Sequence, residues 1–217
     1  MIAAVVFDLF GTLVEIQNRQ NPYRRLLLIG NQQGRAASPN DLRFIMALNG
    51  GLREAAEALE IWLSSHQLIE LQDLLDLEFD SIKPFTDAVP ALELLRKHEI
   101  KVAVCSNLAG PYCSIARRLF PELDGYALSA ELGLLKPDYE MYQSVCEMLG
   151  VRPNELSRTN PDRVLMIGDS KRCDESGPRS FGISGHHLDR SGGGRFQDLL
   201  SFANSIVAEG SEFCSRT

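Results

Sequence analysis

The stretch Val5-Val6-Phe7-Asp8-Leu9-Phe10-Gly11-Thr12-Leu13-Val14 decides how this chain is read. Its first half is apolar and β-branched, with no in/out alternation, which marks a strand buried on both faces of a parallel sheet. The strand delivers one carboxylate, Asp8, into a Gly-Thr turn. Two positions later, where a second carboxylate would supply acid and base, stands Phe10.

Similar apolar runs predict strands at Lys101 to Cys105 and Arg163 to Ile167, with shorter ones at Tyr126 to Ser129 and around Gly182 to Ser184. Amphipathic stripes place helices between them, at Asp87 to Lys97, Tyr112 to Phe120 and Asp138 to Leu149, with a last one at Phe196 to Ala208. Strands alternating with helices predict an α/β fold, a Rossmann-like parallel sheet covered by helices on both faces. Ligands of such sheets sit beyond the carboxyl ends of the strands, where Asp8, Ser106 and Asp169 fall.

Residues 15–82 break the alternation. They carry helical stripes (Leu26 to Leu28; Leu42, Ile45, Met46; Leu52 to Leu63; Leu68 to Phe79) and no convincing strand. The chain therefore divides into a core domain, 1–14 with 83–209, and a small helical cap domain, 15–82, hanging over the strand ends like a lid. Residues 210–217, including Gly210-Ser211-Glu212-Phe213, look like an unstructured tail or a cloning remnant.

Composition narrows the function. With 29 acidic against 22 basic residues and a net charge of -7, the 217-residue chain lacks the basic field of a nucleic-acid surface. No apolar run approaches the ~20 residues of a membrane helix. Five cysteines without a CxxC pair suit reduced thiols, and with the strand starting at once they point to a cytoplasmic protein.

The order Asp8-x-Phe10-Gly11-Thr12, Ser106-Asn107, Lys136-Pro137, then Gly168-Asp169-Ser170 with Asp174, resembles the haloacid dehalogenase-like hydrolase superfamily, and the helical insert resembles the cap of one of its branches. The resemblance implies a hydrolase with Asp8 as nucleophile, ionised at neutral pH given a reference pKa of about 3.9. It implies Mg²⁺ held by Asp8, Asp169 and the main-chain carbonyl of Phe10, with Asp174 as an outer carboxylate that holds a metal water or Lys136. Taken alone, Asp174 also reads as a helix N-cap. Ser106 and Lys136 would steady a phosphoryl group, with Thr12 and Asn107 as further substrate contacts; Thr12 and Asn107 also read as turn residues. His186-His187 read as loop residues.

Phe10 departs from the hydrolytic phosphatase pattern. The dehalogenase branch has an aromatic there, but its last motif resembles Ser-Asn, without a metal, where this chain has Gly168-Asp169. The leading expectation is a Mg²⁺-dependent phosphatase acting on a small phosphorylated metabolite through an aspartyl-phosphate on Asp8, slow where the leaving group is poor. The rivals are a metal-independent 2-haloacid dehalogenase and an idle phosphate-binding or regulatory module.

Overall fold

Five parallel strands run in the order β5-β4-β1-β6-β7: β1 (Ile2–Phe7), β4 (Lys101–Ser106), β5 (Gly125–Leu128), β6 (Arg163–Gly168) and β7 (Ser184–His187). This α/β, Rossmann-like architecture is seen in a computed structural model that describes residues 2–153 and 163–214. The central strand β1 is buried on both sides. Val5 and Phe7 face one core with Val102, Val104, Leu165 and Ile167, while Ala4 and Val6 face a second core with Ala103, Cys105, Val164 and Met166. Two apolar faces on one strand are why its sequence shows no alternation.

Helices α5 (Ala88–Lys97) and α10 (Leu199–Cys214) cover the first face through Leu92, Leu95, Phe202 and Ile206. On the second face lie α8 (Tyr139–Leu149) and α9 (Gly177–Phe181), through Met141, Tyr142, Val145 and Phe181. The small Ala4, Ala103 and Ala127 on that face leave room for the Tyr142 and Phe181 rings. Burying such a large side chain stabilises the fold by about 1.5–3 kcal/mol relative to exposure. Two shorter helices, α6 (Cys113–Leu119) and α7 (Ser129–Leu132), follow β4 and β5.

Helices α1 (Pro22–Gln32), α2 (Asp41–Ala47), α3 (Leu52–Ala58) and α4 (Ser65–Asp80) make up the insert. Contrary to the expectation of no strand, the insert is flanked by a two-stranded antiparallel ribbon. Strand β2 (Val14–Ile16) pairs with β3 (Ile82–Pro84), Val14 opposite Pro84 and Ile16 opposite Ile82. Three residues are too few to display a period of two, so the ribbon leaves no sequence pattern. It brings the insert's departure and return side by side at the mouth of the sheet. The third helix ends at Ala58 rather than near Leu63, because Glu60 turns into the left-handed region at φ 55°. A Ser64–Gln67 capping box then starts α4, each side chain taking the other's backbone N–H.

Three further boundaries differ from expectation. Gly182, at φ 97°, closes α9, so the fifth strand of the sheet begins at Ser184 and includes His186 and His187, which are strand residues and not loop. The last helix starts at Leu199 and its backbone runs through Cys214, past the point where a loose tail was expected. Among the described residues no helix is long and apolar enough to cross a membrane.

Candidate active site

The strand order reverses at β1: β4 and β5 lie on one side, β6 and β7 on the other. Asp8 follows β1, Asp169 follows β6 and Ser106 ends β4, so three polar side chains meet at the crevice this reversal opens. The Asp8 N–H donates to the Ile167 carbonyl at 3.0 Å, which carries the sheet register into the site. A tight turn follows, in which the Leu9 carbonyl accepts the N–H groups of Thr12, Leu13 and Val14. Gly11 sits in it at φ 81°, and a Cβ there would stand 2.2 Å from Asp169 Oδ2. Only glycine allows both that backbone and that approach.

Beneath the crevice lies a buried charge network. Lys136, 2% exposed, donates from Nζ to Asp8 Oδ1 at 2.8 Å and to Asp174 Oδ1 at 2.6 Å. Burial alone would lower the pKa of this ammonium, but the charges of Asp174 and Asp8 overturn that and raise it well above its usual value. Asp174 is fully buried and takes the Ser170 N–H on its other oxygen at 2.9 Å. Desolvation raises its carboxyl above the usual range, against the pull of Lys136. The geometry answers the two readings of Asp174: it holds Lys136, and it is no N-cap. Ser170 caps the π-helical turn Lys171–Ser176, its side chain accepting the Cys173 N–H.

Asn107 clamps the Lys136 backbone with two hydrogen bonds. Its amide nitrogen donates to the Lys136 carbonyl at 2.9 Å, and its oxygen accepts the Lys136 N–H at 2.7 Å. It therefore orients the lysine, and being half-buried it also lines the cleft beside the crevice. Thr12 is fully buried and its hydroxyl accepts the Asp169 N–H at 3.2 Å, so it aims Asp169. Ser106 is 2% exposed at the end of its strand.

Asp169 reaches solvent beside Asp8. Desolvation by the surrounding protein, and then the Asp8 charge, hold its carboxyl above the usual range. Oxygens of Asp8, Asp169 and Asp174 lie within 4.8 Å of one another. A hard, oxygen-preferring cation fits this donor set, because it would relieve the repulsion that Asp169 now meets from Asp8.

Phe10 lies half-buried on the insert side of the crevice, its ring edge-on to Tyr112 at 5.5 Å. Tyr112 in turn packs on Phe79 at 5.0 Å and donates its hydroxyl to Glu78 Oε1 at 2.9 Å. The other Glu78 oxygen accepts the N–H groups of Gln20 and Asn21 at 2.7 and 2.8 Å. Glu78, in the insert's last helix, thus ties the insert's first turn to Tyr112 of the sheet domain. Burial, then the Glu78 charge, push the Tyr112 hydroxyl far above its usual pKa. Nothing in the residue order singled out Tyr112, Glu78 or Arg19 beside them. The same holds for Arg190, which donates to the Thr12 carbonyl at 2.7 Å, pairs with Asp87 at 3.1 Å and lies 3.7 Å over the Phe85 ring. That clamp spans 178 positions from Thr12 to Arg190, a separation no local pattern reveals.

A family model described as haloacid dehalogenase-like hydrolase matches residues 2–182. The chain belongs to that family. It is similar to (S)-2-haloacid dehalogenase 4A of Burkholderia cepacia, at 29% identity over 63% of this chain and 58% of that protein. It is also similar to glyceraldehyde 3-phosphate phosphatase of Methanopyrus kandleri, at 29% identity over 57% of this chain and 50% of that one. The chain thus spans between half and three fifths of these curated relatives. In fold it is similar to a HAD phosphatase from Thermococcus onnurineus, with a TM-score of 0.63 at 20% identity over 94% and 98% of the two chains. The chain is a hydrolase of this family, and its relatives include both dehalogenases and phosphatases.

Proposed function

We propose that this hydrolase is a Mg²⁺-dependent phosphatase of small phosphorylated metabolites, working through an aspartyl-phosphate on Asp8, with the helical insert as its cap. The observation that carries the reading is Asp169. A second carboxylate beside the nucleophile repels any anionic substrate unless a cation lies between them. In a metal-free dehalogenase of carboxylate substrates it would be a handicap; in a metal site it is a ligand.

Asp8, Asp169 and the Phe10 carbonyl would hold Mg²⁺, with Asp174 behind them. The ion would neutralise phosphoryl oxygens and draw them towards the nucleophile. Lys136, pinned by Asp8, Asp174 and Asn107, adds a fixed positive charge with little reorganisation. The Asp8 oxygen bonds phosphorus while the bond to the leaving oxygen breaks. Water then attacks phosphorus, releasing Asp8 and, after losing its proton to solvent, inorganic phosphate.

One observation favours the dehalogenase reading, the aromatic Phe10 in place of an acid, together with the similarity to a named dehalogenase. Phosphate esters assayed with Mg²⁺ and with EDTA, beside 2-haloacids in EDTA, separate the readings. Metal-dependent phosphate release supports the phosphatase. Halide release in EDTA overturns it, and activity on neither substrate leaves the regulatory module.

A further inference from the structure

Beside the turn that carries Phe10 a cleft of about 190 Å³ opens between the sheet domain and the insert. Phe10, Ile16, Leu108, Ala109 and Tyr112 form its apolar side, and Arg19, Asn21, Glu78 and Asn107 its polar side. Leu108, Ala109 and Tyr112 are buried, Phe10 and Ile16 half-buried, so one side of the cleft is apolar while the other is polar. Open to solvent, it has room for a single flat ring or a group of that size. The edge-to-face Phe10–Tyr112 pair offers an aromatic wall for it.

Two charges border the cleft. Glu78 is spent on Tyr112, Gln20 and Asn21. Arg19 is exposed at the rim, and among the described residues no carboxylate lies within ion-pair distance of it. Its charge reaches Tyr112, where it opposes the upward shift of the hydroxyl. The cleft therefore presents one uncommitted cation opposite an aromatic side made by Phe10 and Tyr112.

We infer that this cleft is a leaving-group subsite for a flat, weakly basic oxyanion, a phenolate, enolate or conjugated carboxylate, with Phe10 and Tyr112 packing its plane and Arg19 facing its charge. The inference rests on the phosphatase reading. It turns the missing acid into a statement about substrate. With phenylalanine at position 10, the P–O bond electrons leave on an oxygen that receives no proton from the enzyme. The departing group exits as the oxyanion and is protonated later by water. Charge stabilisation by an arginine serves where proton donation does not, provided the leaving group is a good one. Arg19 would be a specificity-determining residue, answering the charge that develops in the transition state.

The test is a leaving-group series: substituted phenyl phosphates of graded phenol acidity, phenyl phosphates bearing a ring carboxylate, and glycerol phosphate. Each is assayed with the wild type, Arg19→Met, Arg19→Lys and Phe10→Leu in Mg²⁺. Wild type should prefer aryl over alkyl phosphates by about 10²-fold or more in kcat/KM. Arg19→Met should steepen the dependence of kcat on phenol acidity and lose roughly 10-fold or more on the poorest phenols, with Arg19→Lys restoring most of it. Phe10→Leu should raise KM for aryl phosphates by more than it raises KM for glycerol phosphate. Turnover with aryl and alkyl phosphates equal, or a slope unmoved by Arg19→Met, overturns the inference alone and leaves the phosphatase standing. Absence of phosphate release from every ester removes both.

Discussion

The floor and the wall of the crevice follow opposite designs. On the floor, Asp8, Lys136 and Asp174 are buried charges tied to one another, with Asn107 and the Ser170 N–H fixing the remaining freedom. On the wall, Phe10 and Tyr112 form an aromatic side faced by the exposed Arg19, and among the described residues that line it the one carboxylate, Glu78, is taken up by three donors. The floor has what a group with developing negative charge needs at the moment of transfer. The wall lacks what a poor leaving group needs to depart. On the phosphatase reading, electrostatics and proton transfer, usually found together in a hydrolytic site, are separated in this one.

The largest expected effect comes from breaking the floor. Lys136→Met leaves two buried carboxylates facing each other without a cation. Removing one partner of a buried pair costs about 3–5 kcal/mol, so urea unfolding should show a loss of that size. Phosphatase activity should fall by roughly 10²–10³-fold, beyond what partial unfolding explains.

Changing the wall sharpens the contrast from the other side. Phe10→Asp restores an acid, and turnover of alkyl phosphates should rise by up to roughly 10²–10⁴-fold while aryl phosphates change little. The lost Phe10–Tyr112 contact should cost about 0.5–1.5 kcal/mol in the same unfolding assay. If alkyl and aryl rates move together, the wall is not where proton transfer was lost.

A smaller effect is expected at the tie between the two regions. Glu78→Gln sets an amide among three donors, one of which loses its acceptor, at about 1–3 kcal/mol. KM should rise more than kcat falls, because the tie positions the wall without touching the reacting atoms. Smallest is a pair within the insert. The Arg35 hydrogen bond holds Asp41 down to about 2. A carboxyl whose folded pKa lies below its unfolded value adds stability above about pH 4 that fades as pH falls towards 2. Asp41→Asn should therefore lower the melting temperature by a few degrees at pH 7, and the gap to wild type should close near pH 2.

The same contrast explains what could be read from residue order. The floor was legible because Asp8, Ser106 and Asp169 each follow an apolar run, and strand ends of a parallel sheet converge on one crevice whatever the loops do. Lys136 and Asp174 joined them through spacing shared with a family. The wall was not legible. Tyr112, Glu78 and Arg19 come from a loop after β4, the last insert helix and the turn before the first, and they meet because a three-residue ribbon brings the insert back to where it left. A ribbon that short has no periodicity to find. Thr12 and Asn107 carried the right polar groups, yet their hydrogen bonds are spent on Asp169 and Lys136, and burial is a property of the folded chain alone.

Both proposed chemistries would use Asp8 and would leave different groups on it, so the covalent intermediate is the most direct test. The enzyme, mixed with para-nitrophenyl phosphate and Mg²⁺ and quenched in acid within the first turnover, should gain the mass of one phosphoryl group on the peptide containing Asp8, with none on Asp8→Asn. A carboxyalkyl ester on Asp8 after incubation with 2-chloropropionate in EDTA, and no phosphoryl adduct under the first condition, would contradict the account.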